Sequence, residues 1–337
     1  FTSIINGLTP DTLYYIRAYA TNDVDTVYGD QRTFTTLPKL PVVTTQAVSD
    51  VTKDNAIGHG TINDRGIPDL TEHGICWSRA PTIPTRSNND GITTLGEYSG
   101  PVPHSFESTI SPLVPFRNYN VRAYAANSAG TVYGSTQPFR SDPDAMVVGT
   151  DDVTNINQTS ATGGGDITNL GAPRAEQHGI CWNTIGTDRG RPPTTADSFT
   201  TEGVPAGTGP FTSDLTGLSP GTTYYVRAYV TNDLTTVYGS EVVFTTFIEP
   251  TVTTFAVSLI DDTQATANGS ITDLGEPSPD DHGFCWSTDP NPTLEDIDDS
   301  FRSLGPYSDD VPYDFKYRMT GLLPDTTSYF RAYATNA

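Results

Sequence analysis

Three histidines each stand three residues before a cysteine: His73 and Cys76, His178 and Cys181, His282 and Cys285. An imidazole and a thiol so close in sequence suggest a metal pair. Each lies in a segment His-Gly-Ile/Phe-Cys-Trp, which reads as a strand. On a strand, residues three apart point to opposite faces, so the two ligands diverge. A closed structural zinc site also needs more His or Cys than these segments carry nearby. The pair therefore reads as a strand-start histidine and a small, buried, inert thiol. A linking thiol, joining chains or holding a cofactor, is the alternative. The Cys-x-x-Cys-His pattern of a c-type haem is absent. With one cysteine per repeat, no disulfide is available inside a domain.

Oxygen ligands are the next candidates. Glu295 to Asp299 is an acidic run, and Asp261-Asp262 and Asp280-Asp281 lie on the same stretch of chain. Such loops suit calcium. The run has no acidic counterpart in the other repeats and lacks EF-hand spacing, so a solvated loop is the simpler reading. Junction acids Asp142, Asp144 and Glu249 are a weaker calcium candidate. No cofactor is otherwise expected. Asn157-Gln-Thr159 and Asn268-Gly-Ser270 match the short N-glycosylation pattern. No nucleophile elbow, phosphate-binding loop, zinc histidine pair or recurring Ser/His/Asp set is present, so no catalytic residue is assigned.

The third group is cationic and aromatic. Arg17 is flanked by Tyr15 and Tyr19; Arg122 is followed by Tyr124, Arg227 by Tyr229 and Arg331 by Tyr333. Arginine among aromatics stacks by cation–π contact. Within one domain this makes a ladder between strands. Between domains or chains it makes an interface, where Tyr and Arg are enriched.

These arginines also measure the chain. Their spacings are 105, 105 and 104 residues. A period this long means tandem domains rather than a solenoid of small repeats. Around Arg17 the side chains alternate as a strand requires. Tyr14, Ile16, Ala18 and Ala20 form an apolar face that should enter a core. Tyr15, Arg17 and Tyr19 form the other face, which should meet solvent or a neighbour. Leu8-Thr-Pro10 marks a turn just before the strand. Tyr14, Tyr119 and Tyr224 follow that turn as a tyrosine corner would. Ser328 stands at that place in the last copy.

Leu8-Thr-Pro10, Tyr14 to Asn22, Tyr28-Gly29 and Phe34-Thr-Thr36 together resemble the second half of a fibronectin type III domain. The variety resembled is the one found in tandem in large bacterial surface and secreted proteins. The resemblance covers essentially the whole chain. It implies an all-β fold of tandem fibronectin type III-like (immunoglobulin-like) β-sandwich domains. It implies little about activity, since fold does not fix function.

Composition agrees with short strands and turns: 30 Gly, 26 Pro and no helical periodicity. Net charge is −22, from 40 acidic and 18 basic residues. That excess argues against nucleic acid and anionic membrane surfaces as partners. No apolar run approaches a membrane span. The expected divisions are residues 1–37, the back half of a repeat; 38–143 and 144–248, complete repeats; and 249–337, a repeat without its last strand. Junctions at Pro38 to Pro41, Asp142-Pro143-Asp144 and Glu249-Pro250 are short and stiff.

Trp77, Trp182 and Trp286, with Cys76, Cys181, Cys285, Tyr14, Tyr119 and Tyr224, are the expected structural residues. Tyr15, Arg17, Tyr19, Arg122, Tyr124, Arg227, Tyr229, Arg331 and Tyr333 are the candidate interface. The chain reads as a window on a longer polypeptide, and its unclosed last sheet as an edge filled by continuing chain or by another subunit. The function expected is a non-catalytic stalk or surface filament of a long extracellular protein. Its partners are then neighbouring repeats or further copies. The alternatives are an adhesin binding a glycan or protein through its tip loops, and a spacer in a secreted polysaccharide-degrading enzyme.

Overall fold

A computed structural model describes residues 1–295 and 300–336. Its regular structure is antiparallel strand, with one short 3-10 turn at Thr187–Arg189. No helix of the described residues is long and apolar enough to cross a membrane. The chain divides into two compact units. One is Phe1–Ala145 with Gly171–Pro173; the other is Met146–Leu170 with Arg174–Ala337.

In the first unit, one sheet orders Val42–Thr45, Ala56–Asp64 and His104–Ile110. The facing sheet is centred on Asn118–Asn127, paired with Glu72–Arg79 on one side. On the other side lie two short pieces of a closing strand, Gly130–Tyr133 and Gln137–Arg140. Gly91–Ile92 forms the opposite edge. The two sheets enclose one core, with Ile62, Ile75, Ile110, Val121 and Ala123 wholly buried. Alternation explains the choice: Tyr119, Val121, Ala123 and Ala125 share the inward face of one strand. Ahead of this sandwich, Leu13–Ile16 pairs with Arg32–Thr35, and Tyr19–Thr21 with Thr26–Tyr28.

The second unit holds two further sandwiches with separate cores. The first joins Ile167, Ile180, Leu215, Val226 and Ala228; the second joins Ile271, Phe284, Phe315 and Met319. The sheet orders repeat those of the first unit, except that the last sandwich has no closing strand among the described residues; Gln177–Asn183 and Asp281–Ser287 occupy the place of Glu72–Arg79. Each repeat is thus an all-β sandwich of the fibronectin type III or immunoglobulin-like kind.

Candidate functional site

The arginine face is settled by its neighbours. Arg122 Cζ lies 4.6 Å from the centroid of the Tyr133 ring, and its Nε donates to Gly134 O at 2.9 Å. Arg17 does the same with Tyr28 at 4.8 Å and Gly29 O at 3.0 Å. Arg227 repeats it with Tyr238 at 4.8 Å and Gly239 O at 2.8 Å. The register brings Tyr-Gly of the closing strand beside the arginine strand, Tyr124 opposite Tyr133 and Tyr229 opposite Tyr238. These guanidinium groups are engaged inside their own repeats, as a ladder between strands. Arg331 is exposed, on the strand position opposite Cys285.

The glycine after that tyrosine has its own reason. A Cβ on Gly134 would lie 2.3 Å from Thr45 Oγ1, and one on Gly239 2.4 Å from Thr150 Oγ1. The closing strand is broken here, so the Ala123 N–H has no ladder partner. Thr45 Oγ1 accepts from it at 2.9 Å, across the core from the facing sheet. Thr150 serves Ala228, and Thr254 serves Ala332, at 2.9 Å each. Sequence reasoning missed this bridge, although Thr45, Thr150 and Thr254 carry the repeat spacing.

Tyrosines on the outer face correct one expectation. Tyr15 and Tyr19 are exposed, but Tyr124 and Tyr229 are wholly buried instead of meeting solvent or a neighbour. The physical cause is the Pro/Thr-rich loop after Glu72–Arg79, which folds back over the sheet. Arg86 of that loop sits over the Tyr124 ring at 5.5 Å, pairs with Glu72, and donates its N–H to Tyr133 Oη at 2.9 Å. Tyr124 Oη lies 2.6 Å from Glu72 Oε1. Burial, then the Glu72 carboxylate, pushes the Tyr124 hydroxyl up to about 12. Tyr229 Oη donates to Thr200 O at 2.7 Å, and Tyr333 Oη to Asp281 Oδ2 at 2.9 Å.

None of the three cysteines forms a disulfide, and all are buried. Cys76 faces outward, opposite Arg122, and is covered by the same layer. Desolvation pushes its thiol up to about 11 and that of Cys181 to about 12. Cys285 Sγ lies 3.4 Å from Pro292 O, a residue of the corresponding loop. The histidines point the other way. His73 Nδ1 lies 2.8 Å from Gly96 O, and its ring meets Phe106 edge-on at 4.9 Å. His178 uses Gly203 O and Phe211; His282 uses Gly305 O and Phe315. His73 and His282, each the second residue of its strand, are buried core groups. Burial, above all, pulls His73 below its ordinary value. Among the described residues, no group of three or more His, Cys, Asp or Glu could hold a metal ion. Of the acidic run, Asp296 to Asp299 lie outside the described residues.

The tryptophans point inward. Trp77 is buried in its core, while Trp182 and Trp286 pack half-buried against theirs. Tyr119 and Tyr224 are buried and Tyr14 half-buried. Their hydroxyls accept from the upstream N–H of Val114, Ser219 and Thr9, at 2.8, 2.9 and 2.8 Å. Ser328 leaves this place empty of a ring, and an open cleft there is lined by Trp286, Met319, Leu322 and Phe330.

One grouping escaped the sequence because it does not recur. Ser49 Oγ lies 2.9 Å from His59 Nε2, and His59 Nδ1 lies 3.8 Å from Glu107 Oε2. The order matches nucleophile, base and acid. The second distance is too long for a hydrogen bond, and the Glu107 side chain is 74% exposed. The third repeat supplies the explanation. There Asn268 Nδ2 donates to Ser258 Oγ at 3.0 Å and to Ala256 O at 2.8 Å, across the bulge between Phe255 and Ser258. An amide takes no proton, yet it does the same job. His59 thus braces Ser49 as Asn268 braces Ser258. Asn268 is likewise committed to the bulge, whereas Asn157 is exposed.

Comparisons with known proteins come down to shape. No family model matches, and no curated protein does. The FN1-FN3 domains of chicken CNTN1 are similar at 12% identity with a TM-score of 0.31, over 89% of this chain and 93% of that one. The sensor domain of the anti-sigma factor RsgI4 in Pseudobacteroides cellulosolvens is similar at 18% identity with a TM-score of 0.24. That match covers 30% of this chain and 94% of the other.

Proposed function

We propose that this chain is a non-catalytic structural segment of a long extracellular protein, its sandwiches acting as spacers in a stalk or surface filament. One observation carries the reading. Where the closing strand is present, the side chains best suited to chemistry or contact are committed inside their own repeats in the same way. Arg17, Arg122 and Arg227 are held by a tyrosine and a carbonyl. Cys76 and Cys181 are buried with their thiolates disfavoured. A spacer needs this self-sufficiency, because each module must stand without a ligand. The acidic surface favours solubility and self-repulsion. Its partners on this reading are neighbouring repeats or further copies.

Small-angle scattering of the native chain tests the proposal. An extended particle, its length growing with each added repeat, is the expected result. A compact particle with the repeats folded back around a shared cleft would defeat the spacer reading and favour a ligand-binding or enzymatic one.

A further inference from the structure

The joint between the last two repeats has no free residue. Phe247 belongs to the repeat before it: Gly221 N donates to Phe247 O, and Phe247 N to Asn157 O, both at 3.3 Å. Ile248, the next residue, belongs to the repeat after it. Its N–H donates to Glu276 O, and Glu276 N donates back to Ile248 O, both at 2.9 Å. Asn336 closes the clamp. Its Nδ2 donates to Ile248 O at 2.8 Å and to Pro277 O at 2.7 Å.

The backbone around the clamp is shaped for it. Gly275 has φ +70°, and a Cβ there would lie 2.3 Å from Ile248 O. No other residue leaves room for that carbonyl. On the other side, a Cβ on Gly221 would lie 2.5 Å from Ile248 Cδ1, so the linker side chain also touches the preceding repeat.

The first joint shows the same plan. Asp11 N donates to Leu37 O at 3.3 Å; Lys39 exchanges both backbone bonds with Ile67, at 2.8 and 3.0 Å. Asn127 Nδ2 donates to Lys39 O at 2.8 Å and to Pro68 O at 2.9 Å. Gly66, φ +75°, takes the place of Gly275. Only Pro38 lies between the two anchored residues, and its own φ is fixed by its ring.

From this we infer that the joints at Leu37–Lys39 and Phe247–Ile248 are rigid couplings, with Asn127 and Asn336 as the positioning residues that lock each linker into the following sandwich. Neighbouring domains in one chain ordinarily move against each other unless their interface is large. Here the restraint comes from hydrogen bonding close on either side of the joint: one planar peptide bond separates the anchored groups at Phe247–Ile248, and only the ψ of Pro38 stands between them at Leu37–Lys39. The inference deepens the spacer reading by saying how stiffness is built. Its geometry stands apart from that reading.

Residual dipolar couplings on the whole labelled chain test it. Couplings from residues 146–246 and from 250–336 should fit one alignment tensor in the native protein. Asn336→Ala removes both side-chain donors and should split the fit into two tensors of unequal magnitude. Inserting two glycines between Phe247 and Ile248 should split it too, with the amide shifts of both cores kept. The insertion decides the matter if Asn336→Ala unfolds the third repeat. Two independently averaged tensors in the native chain would overturn the inference. So would a single tensor surviving the insertion. A single tensor together with compact scattering would keep the coupling and defeat the spacer.

Discussion

At the scale of single residues, buried groups set the clearest expectations. Trp77 fills the centre of its core, so Trp77→Ala should cost its repeat about 3–5 kcal/mol, the range for aromatic truncation in a packed interior. Urea unfolding followed by circular dichroism reads it. A loss far below that range would mean the ring is not in the core. Cys76 and Cys181 should label slowly in the native protein and quickly once unfolded, because burial both hides the sulfur and disfavours the thiolate. Ellman's reagent with and without denaturant makes the comparison, and fast native labelling would restore the linking-thiol alternative. His73 gives a pH signature. Its folded value lies below the ordinary value of about 6.5, so the fold prefers the neutral ring. Above that pH both states are neutral and the stability is full. As pH falls below it, the unfolded chain takes up a proton first and stability is lost, until the folded value is passed. The first complete repeat should lose stability between neutral pH and mild acid, and His73→Gln should flatten that slope.

The strands show how much was legible and why the rest was not. Alternation along Tyr14 to Ala20 identifies the inward face, and in the complete repeats Val121, Ala123, Val226 and Ala228 are wholly buried. Period-two patterning is local, and one strand suffices to read it. The opposite face was read as open because Arg122 and Tyr124 are amphipathic. What covers that face is a loop some forty residues away in sequence, carrying Arg86 and Glu72's partners. Nothing local announces a loop's return path. The Thr45 bridge was hidden for a related reason, since a threonine in a strand is unremarked until the facing strand is seen to lack a partner. That bridge is testable. Thr45→Val keeps the shape but leaves the Ala123 N–H buried without an acceptor, at about 1–3 kcal/mol. Thr45→Ser, which keeps the hydroxyl, should lose less, and equal losses in the two variants would show that packing rather than the hydrogen bond matters.

For the molecule as a whole, the period itself becomes informative. From Leu37 to Asp142 to Phe247 the count is 105 and 105 residues, but from Lys39 to Asp144 to Ile248 it is 105 and 104. The missing residue is therefore the counterpart of Pro38, inside the coupling. Elsewhere a one-residue deletion is taken up by a loop and leaves no trace. In a coupling without slack it cannot be absorbed. It shortens the passage by one residue's rise, about 3.3 Å along an extended chain. The two couplings are then of two kinds, Leu37–Lys39 with the proline and Phe247–Ile248 without it. The reach of a coupling is thus encoded by the presence or absence of one amino acid.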